Sequence, residues 1–308
     1  MKLRGDAAPQ HEAQRLVAAA RAQWTQHAVI APVLTDLQRF GAGLDLAECP
    51  HLNEALTSLA AGSAVAEVTL AIFAACVSQA PLGMVPFRHE VTPEGATLVL
   101  AVSGQSQLLL CQRGRAMCEP DCVTMSDVVR HDLVLAGRAE ALMCCLKGTR
   151  LETTPIALGS GSQFQIAGGD KGIVTRQVHD PLVTLRLVRQ QAQCKPTRQI
   201  AIASGAVVAT AHGTMAESRR RLAIDVLAAL RHPRAAQTLS EEAMQGDPAT
   251  RWEALRQCLA LDTGRGFSTL TRVADNADDL LSGRARALRD HLLAAHPVLA
   301  TLIERKAA

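Results

Sequence analysis

Cysteines and histidines are the residues whose spacing could carry chemistry in this chain. Cys111, Cys118 and Cys122 fall in one short stretch, and His131 follows. The run Cys118-Glu119-Pro120-Asp121-Cys122 places three residues between two thiols, a gap used by zinc sites, and a closed site needs four such ligands. The surroundings are strand-like and no second close pair completes the set, so reduced structural thiols are the favoured reading. Cys144 and Cys145 are neighbours on a predicted strand, point to opposite faces, and do not easily share one ion. A second constellation is made of three histidines each followed by an acid: His89-Glu90, His131-Asp132 and His179-Asp180, with His212 ending the same region. Gathered on inward strand faces, His89, His131 and His179 would be imidazole ligands for a divalent metal. Otherwise each pair is a solvated loop or edge position.

Nucleophile and phosphate motifs are missing. No Gly-x-Ser-x-Gly, Walker motif or dinucleotide fingerprint occurs. Gly159-Ser160-Gly161-Ser162 and Gly168-Gly169-Asp170-Lys171-Gly172 precede no helix, so neither makes a phosphate cradle. Arg219-Arg220-Arg221, with Arg231 and Arg234 beyond, would suit an anion or nucleic acid. The plainer reading is the polar face of a surface helix, with Glu217 and Asp225 nearby. No catalytic or cofactor-binding residue is assigned.

Composition narrows the classes. The 308 residues are 48% hydrophobic, enough for a sizeable core, and 32 basic against 29 acidic residues leave a net charge of only +3. A nucleic-acid binder concentrates its basic excess, whereas here the signs are mixed. Five Phe, two Trp and no Tyr offer few stacking platforms for single-stranded bases. The nine cysteines and the polar N-terminus, which has no apolar leader core, predict a reduced, cytoplasmic protein. No charge falls between Val68 and Phe87, but the apolar core Val68–Val77 is too short to span a bilayer. It reads as a buried helix followed by a Pro-marked linker.

Periodicity supplies the scaffold. Residues 9–80 read as helices: Leu16, Val17, Ala20 and Trp24 share a face, then Val33, Leu34, Leu37 and Phe40, stopped at Gly41. Leu52, Leu56 and Leu59 mark a third helix ending near Gly62, and 64–77 is apolar nearly all round. From residue 96 short β-type runs follow at 96–102, 107–111, 128–135, 139–146, 163–166, 173–178, 182–189, 199–203 and 206–211. Ser103-Gly104, Gly137-Arg138 and Ser204-Gly205 lie between them as turns. In 182–189 Val183, Leu185 and Leu187 face one way, Thr184 and Arg186 the other. Helices return after Gly213, and Arg-x-x-Ala-Ile/Leu recurs from Arg220, Arg251 and Arg284.

On these residues the last third resembles HEAT-like repeats, stacked helix pairs that commonly offer concave surfaces to partners. The stretch 159–187, with His179 near its end, resembles the second half of a cupin. That resemblance implies a metal on inward histidines, but the first cupin motif, His-x-His with a following Glu, is absent. The expected fold is α+β: an N-terminal helical region 1–88, an antiparallel β-sandwich or barrel 89–213, and a HEAT-like helical region 214–308. The expected function is a non-catalytic interaction or regulatory protein, with a protein partner on the C-terminal array, no cofactor and no membrane. The alternative is a metal-dependent enzyme or metal-gated sensor using His89, His131 and His179 with a divalent metal.

Overall fold

The computed structural model describes residues 8–301 except Cys118, Thr149, residues 192–194, residues 212–214 and Pro233. It is a mixed α+β protein with N-terminal helices, antiparallel sheets and C-terminal helices, as expected. The chain divides into two compact units, 1–211 and 212–308.

In the first unit, helices α1 (Ala8–Gln26), α2 (Ile30–Gly41), α3 (Pro50–Thr57) and α4 (Leu59–Gln79) lead into the strands. Trp24, Leu37, Phe40, Leu52 and Phe73 bury the apolar stripes, and Trp24 donates its indole N–H to Thr69 at 2.9 Å. Asp36, buried on α2, accepts from the first-turn amides of His51 and Leu52, supplying from a neighbouring helix the cap that α3 lacks locally. Gly62 does not end the third helix. It lies inside α4, where a Cβ would meet Leu133 Cδ2 at 2.6 Å and the Ala55 carbonyl at 2.7 Å, so glycine lets α4 close on both α3 and the sheet. By length and composition α4 is the one helix among the described residues apolar enough to cross a membrane. Here Val65, Ala66, Phe73 and Cys76 are buried against the rest of the unit.

Eight strands form the main sheet: β1 (Arg88–Thr92), β2 (Gly95–Ser103), β3 (Ser106–Arg113), β4 (Ala116–Met117), β6 (Val128–Lys147), β7 (Arg150–Gly159), β8 (Gln163–Ala167) and β9 (Lys171–Gln190). The order is β1-β2-β3-β9-β6-β7, with β4 on β9 and β8 on β6. A small sheet joins β5 (Cys122–Met125), β10 (Thr197–Ala201) and β11 (Val207–Ala211), the last two linked through the expected Ser204-Gly205 turn. All pairings are antiparallel.

β6 and β9 run twenty residues each, where the sequence suggests two short strands apiece. Their ladder slips at several points between Val134 and Ala141. At Gly137, φ is +92°, and a Cβ would meet the Pro181 carbonyl at 2.1 Å. Gly137-Arg138 is therefore a bulge that bends a continuous strand, not a turn between two. One face of the sheet, through Leu108, Leu133, Leu185 and Leu187, shares a core with the helices. The helical region 1–88 and the strands thus belong to one unit.

The second unit holds α5 (Met215–Leu230), α6 (Ala235–Glu242), α7 (Pro248–Leu261), α8 (Thr263–Asp275) and α9 (Ser282–Ala295), then a 3-10 turn Pro297–Leu299. Asp247 caps α7 through the Ala249 and Thr250 amides. Helix α5 packs on α7, α6 on α8, and α8 on α9, around Phe267, Leu255 and Leu270. The recurring arginines lie on α5, α7 and α9. Ile224 and Leu255 are buried at equivalent positions, while on α9 the buried alanine is Ala285, two places before the repeat position Ala287.

Candidate functional site

The bent sheet leaves a polar interior on the side away from the helices. Strand alternation places Arg130 and Asp132 on one face of β6 and His131 and Leu133 on the other. The ladder sets Asp132 directly opposite Arg186 of β9. Arg186 donates from Nε to Asp132 Oδ1 at 2.8 Å and from Nη2 to Oδ2 at 2.9 Å. Arg130 Nε lies 3.0 Å from Oδ1 and 2.9 Å from Oδ2, and its Nη2 also donates to Oδ2. The Asp132 side chain is wholly buried, and Arg130 stacks over Phe164.

Two guanidiniums on one carboxylate leave one positive charge on a largely desolvated floor. Burial alone would push the Asp132 carboxyl up, yet Arg186 and Arg130 hold it below the usual carboxylate value. Arg186 is raised despite its burial because Asp132 faces it, while burial lowers Arg130 more than Asp132 restores.

Two cavities open on this floor. One, of about 380 Å³, has Thr97, Cys111, Thr175 and Thr184 beside the arginines and Glu90 and Glu94 among its lining. The other, of about 480 Å³, shares Arg113, Arg130, Thr175 and Arg186 and adds Thr124, Ser126 and Lys171, with no carboxylate in its lining. Both sizes suit small metabolites. Neither Arg113 nor Lys171 forms an ion pair among the described residues.

The three histidines are not brought together. His89 is exposed on β1, and its Nδ1 lies 3.1 Å from the Phe87 carbonyl. His131 faces away from the charged interior, and its pKa is lowered by burial and by Arg189. His179 meets Glu140 at 3.2 Å, half exposed. Among the described residues, no three His, Cys, Asp or Glu side chains are gathered to hold a metal. Cys111 and Cys122 line different cavities, while Cys118 and His212 lie outside the described residues. Of the Arg219–Arg221 run, Arg220 pairs with Glu242 at 2.5 Å and Arg221 with Glu253 at 3.3 Å, which accords with the plainer reading.

Sequence reasoning listed Arg186 and Asp132 without joining them. The available signal was a charge on the cavity-side parity of two β runs. No family model matches the chain, and no curated protein matches it. Its structural neighbours include cupin-type proteins. A DMSP lyase from Ruegeria pomeroyi is similar over 47% of this chain and 70% of that one (17% identity, TM-score 0.32). A cupin-2 domain from Rhodospirillum rubrum is similar over 38% and 78% (14% identity, TM-score 0.29). An oxalate decarboxylase from Bacillus subtilis is similar over 34% and 27% (9% identity, TM-score 0.27).

Proposed function

We propose that the β unit is a non-catalytic receptor for a small organic anion, built as a degenerate cupin-like barrel. The observation that carries this reading is the Arg130–Asp132–Arg186 cluster, whose single carboxylate leaves a surplus positive charge facing two cavities. A guanidinium held by a carboxylate is pre-oriented, and its remaining N–H donors present a planar fork to a carboxylate or phosphate. Lys171 and Arg113 add charge where the lining has no acid. The threonines and Ser126 can complete an oxyanion's hydrogen bonds. Non-catalytic binding is favoured because, among the described residues, Cys111 is the one thiol lining the first cavity and no histidine lines it to act as its base.

Calorimetric titration with inorganic phosphate, acetate and succinate tests the reading, each at matched ionic strength against sodium chloride. Saturable binding that weakens in Lys171→Ala, whose residue is exposed and not part of the buried cluster, is the expected result. Anions no more effective than chloride would overturn it.

A further inference from the structure

The second unit carries an apolar groove that its own helices leave open. It runs between α7 and α9 and is closed at one end by the 3-10 turn, with a volume of about 780 Å³. Trp252, Arg256 and Leu259 supply one wall at helical spacing, with Thr263 at the start of α8 beside them, and Arg284, Leu288 and Leu292 supply the other. Val298 at the closed end is 71% exposed. Among the described residues the ionisable groups of the lining are Arg256, Arg284 and His296, with no carboxylate. The Arg284 guanidinium lies 4.2 Å from the centre of the Trp252 ring. Among the described residues no acid pairs with Arg284, whereas Arg220, Arg221, Arg251 and Arg289 of the same unit have acidic partners, and Arg256, mostly exposed, shares Glu253 with Arg221 at 3.3 Å.

We propose that this groove docks an acidic amphipathic helix of a partner protein. Leucine-like anchors of the incoming helix would fill the valley between α7 and α9, as helix-in-groove recognition requires. Its acidic flanks would meet Arg256 and Arg284, and Trp252 beneath Arg284 gives the centre the aromatic–arginine pairing that carries much of the energy in interfaces. The proposal is independent of the anion reading of the β unit, since it uses neither its residues nor its cavities.

The test is fluorescence anisotropy of the full chain with three labelled synthetic peptides. One carries Leu at i, i+4, i+7 and i+11 with Glu elsewhere, one has Lys replacing Glu, and one is a scramble of the first. The acidic amphipathic peptide alone is expected to bind, and Arg256→Glu with Arg284→Glu should weaken it by about tenfold or more. The single variant Arg256→Gln, at a mostly exposed guanidinium and without setting a second carboxylate beside Glu253, should give a smaller loss with a circular dichroism melt close to wild type. Equal binding of the scramble or the lysine peptide, or no binding, would overturn the proposal. So would displacement by sodium dodecanoate at lower concentration than peptide binding needs, which would make the groove a fatty-acid site. Concentration-dependent dimerisation abolished by Leu292→Asp would likewise overturn it in favour of a second copy of this chain.

Discussion

Asp132 and Arg186 stand directly opposite each other on adjacent antiparallel strands, and the carboxylate accepts two hydrogen bonds from that one guanidinium while Arg130 reaches it from two residues along its own strand. The pairing is buried, and the strand ladder aligns it.

Removing the carboxylate should therefore be costly. Asp132→Asn leaves two guanidiniums facing each other without a counter-charge, and about 3–5 kcal/mol of stability should be lost, read by urea unfolding. The pH dependence follows in sign. Because the folded carboxyl ionises below its unfolded value, its contribution is complete above the unfolded value of about 4 and fades as pH falls toward the lower folded one. Wild type should lose stability over that acid range more steeply than Asp132→Asn. Parallel slopes for the two proteins would contradict the arrangement.

The bend at Gly137 makes a second prediction. Gly137→Ala must place a methyl against the Pro181 carbonyl with φ at +92°, so about 2 kcal/mol or more should be lost. Gly148→Ala, also at positive φ but with open space around it, should lose about 1 kcal/mol. Thermal melts of the two variants side by side give the comparison, and equal losses would show that the β6–β9 contact is not close.

Thiol reactivity should separate by burial. The Cys258 thiol is pushed up to about 11 by burial and by Asp262, and its Sγ lies 3.3 Å from the Ala236 carbonyl. Burial also raises Cys49 and Cys144. Brief alkylation of the native protein near pH 8, followed by peptide mapping, should mark Cys111, Cys122 and Cys145 ahead of these three. An anion bound beside Lys171 should slow Cys122, which lines the same cavity, more than Cys145, which does not line it.

Much of this fold is legible in residue order, and the limits are physical. Alternation across Val183–Leu187 separates the two faces, and the structure turns the leucines to the helices and Thr184 and Arg186 to the cavity. Arg130 and Asp132, two apart on one strand, are likewise recognisable as neighbours on a face. Their partner is 54 residues from Asp132, and the ladder that unites them passes through bulges that periodicity reads as turns. Strand β7 has no β signature because it is an exposed edge, where Pro155 costs no ladder bond. The histidine–acid pairs stand out in the sequence by adjacency, yet neighbours on a strand point to opposite faces, so His131 and Asp132 could not serve one site.

β6 and β9 carry two messages on alternate residues. One parity holds Asp132 and Arg186; the other holds Leu133, Leu185 and Leu187. A slip of one place in the pairing would turn leucines into the cavities and bring charge against α4. The charged triad is thus a checksum on strand alignment: its ionic contacts can all be made only in the register that also seats the helices.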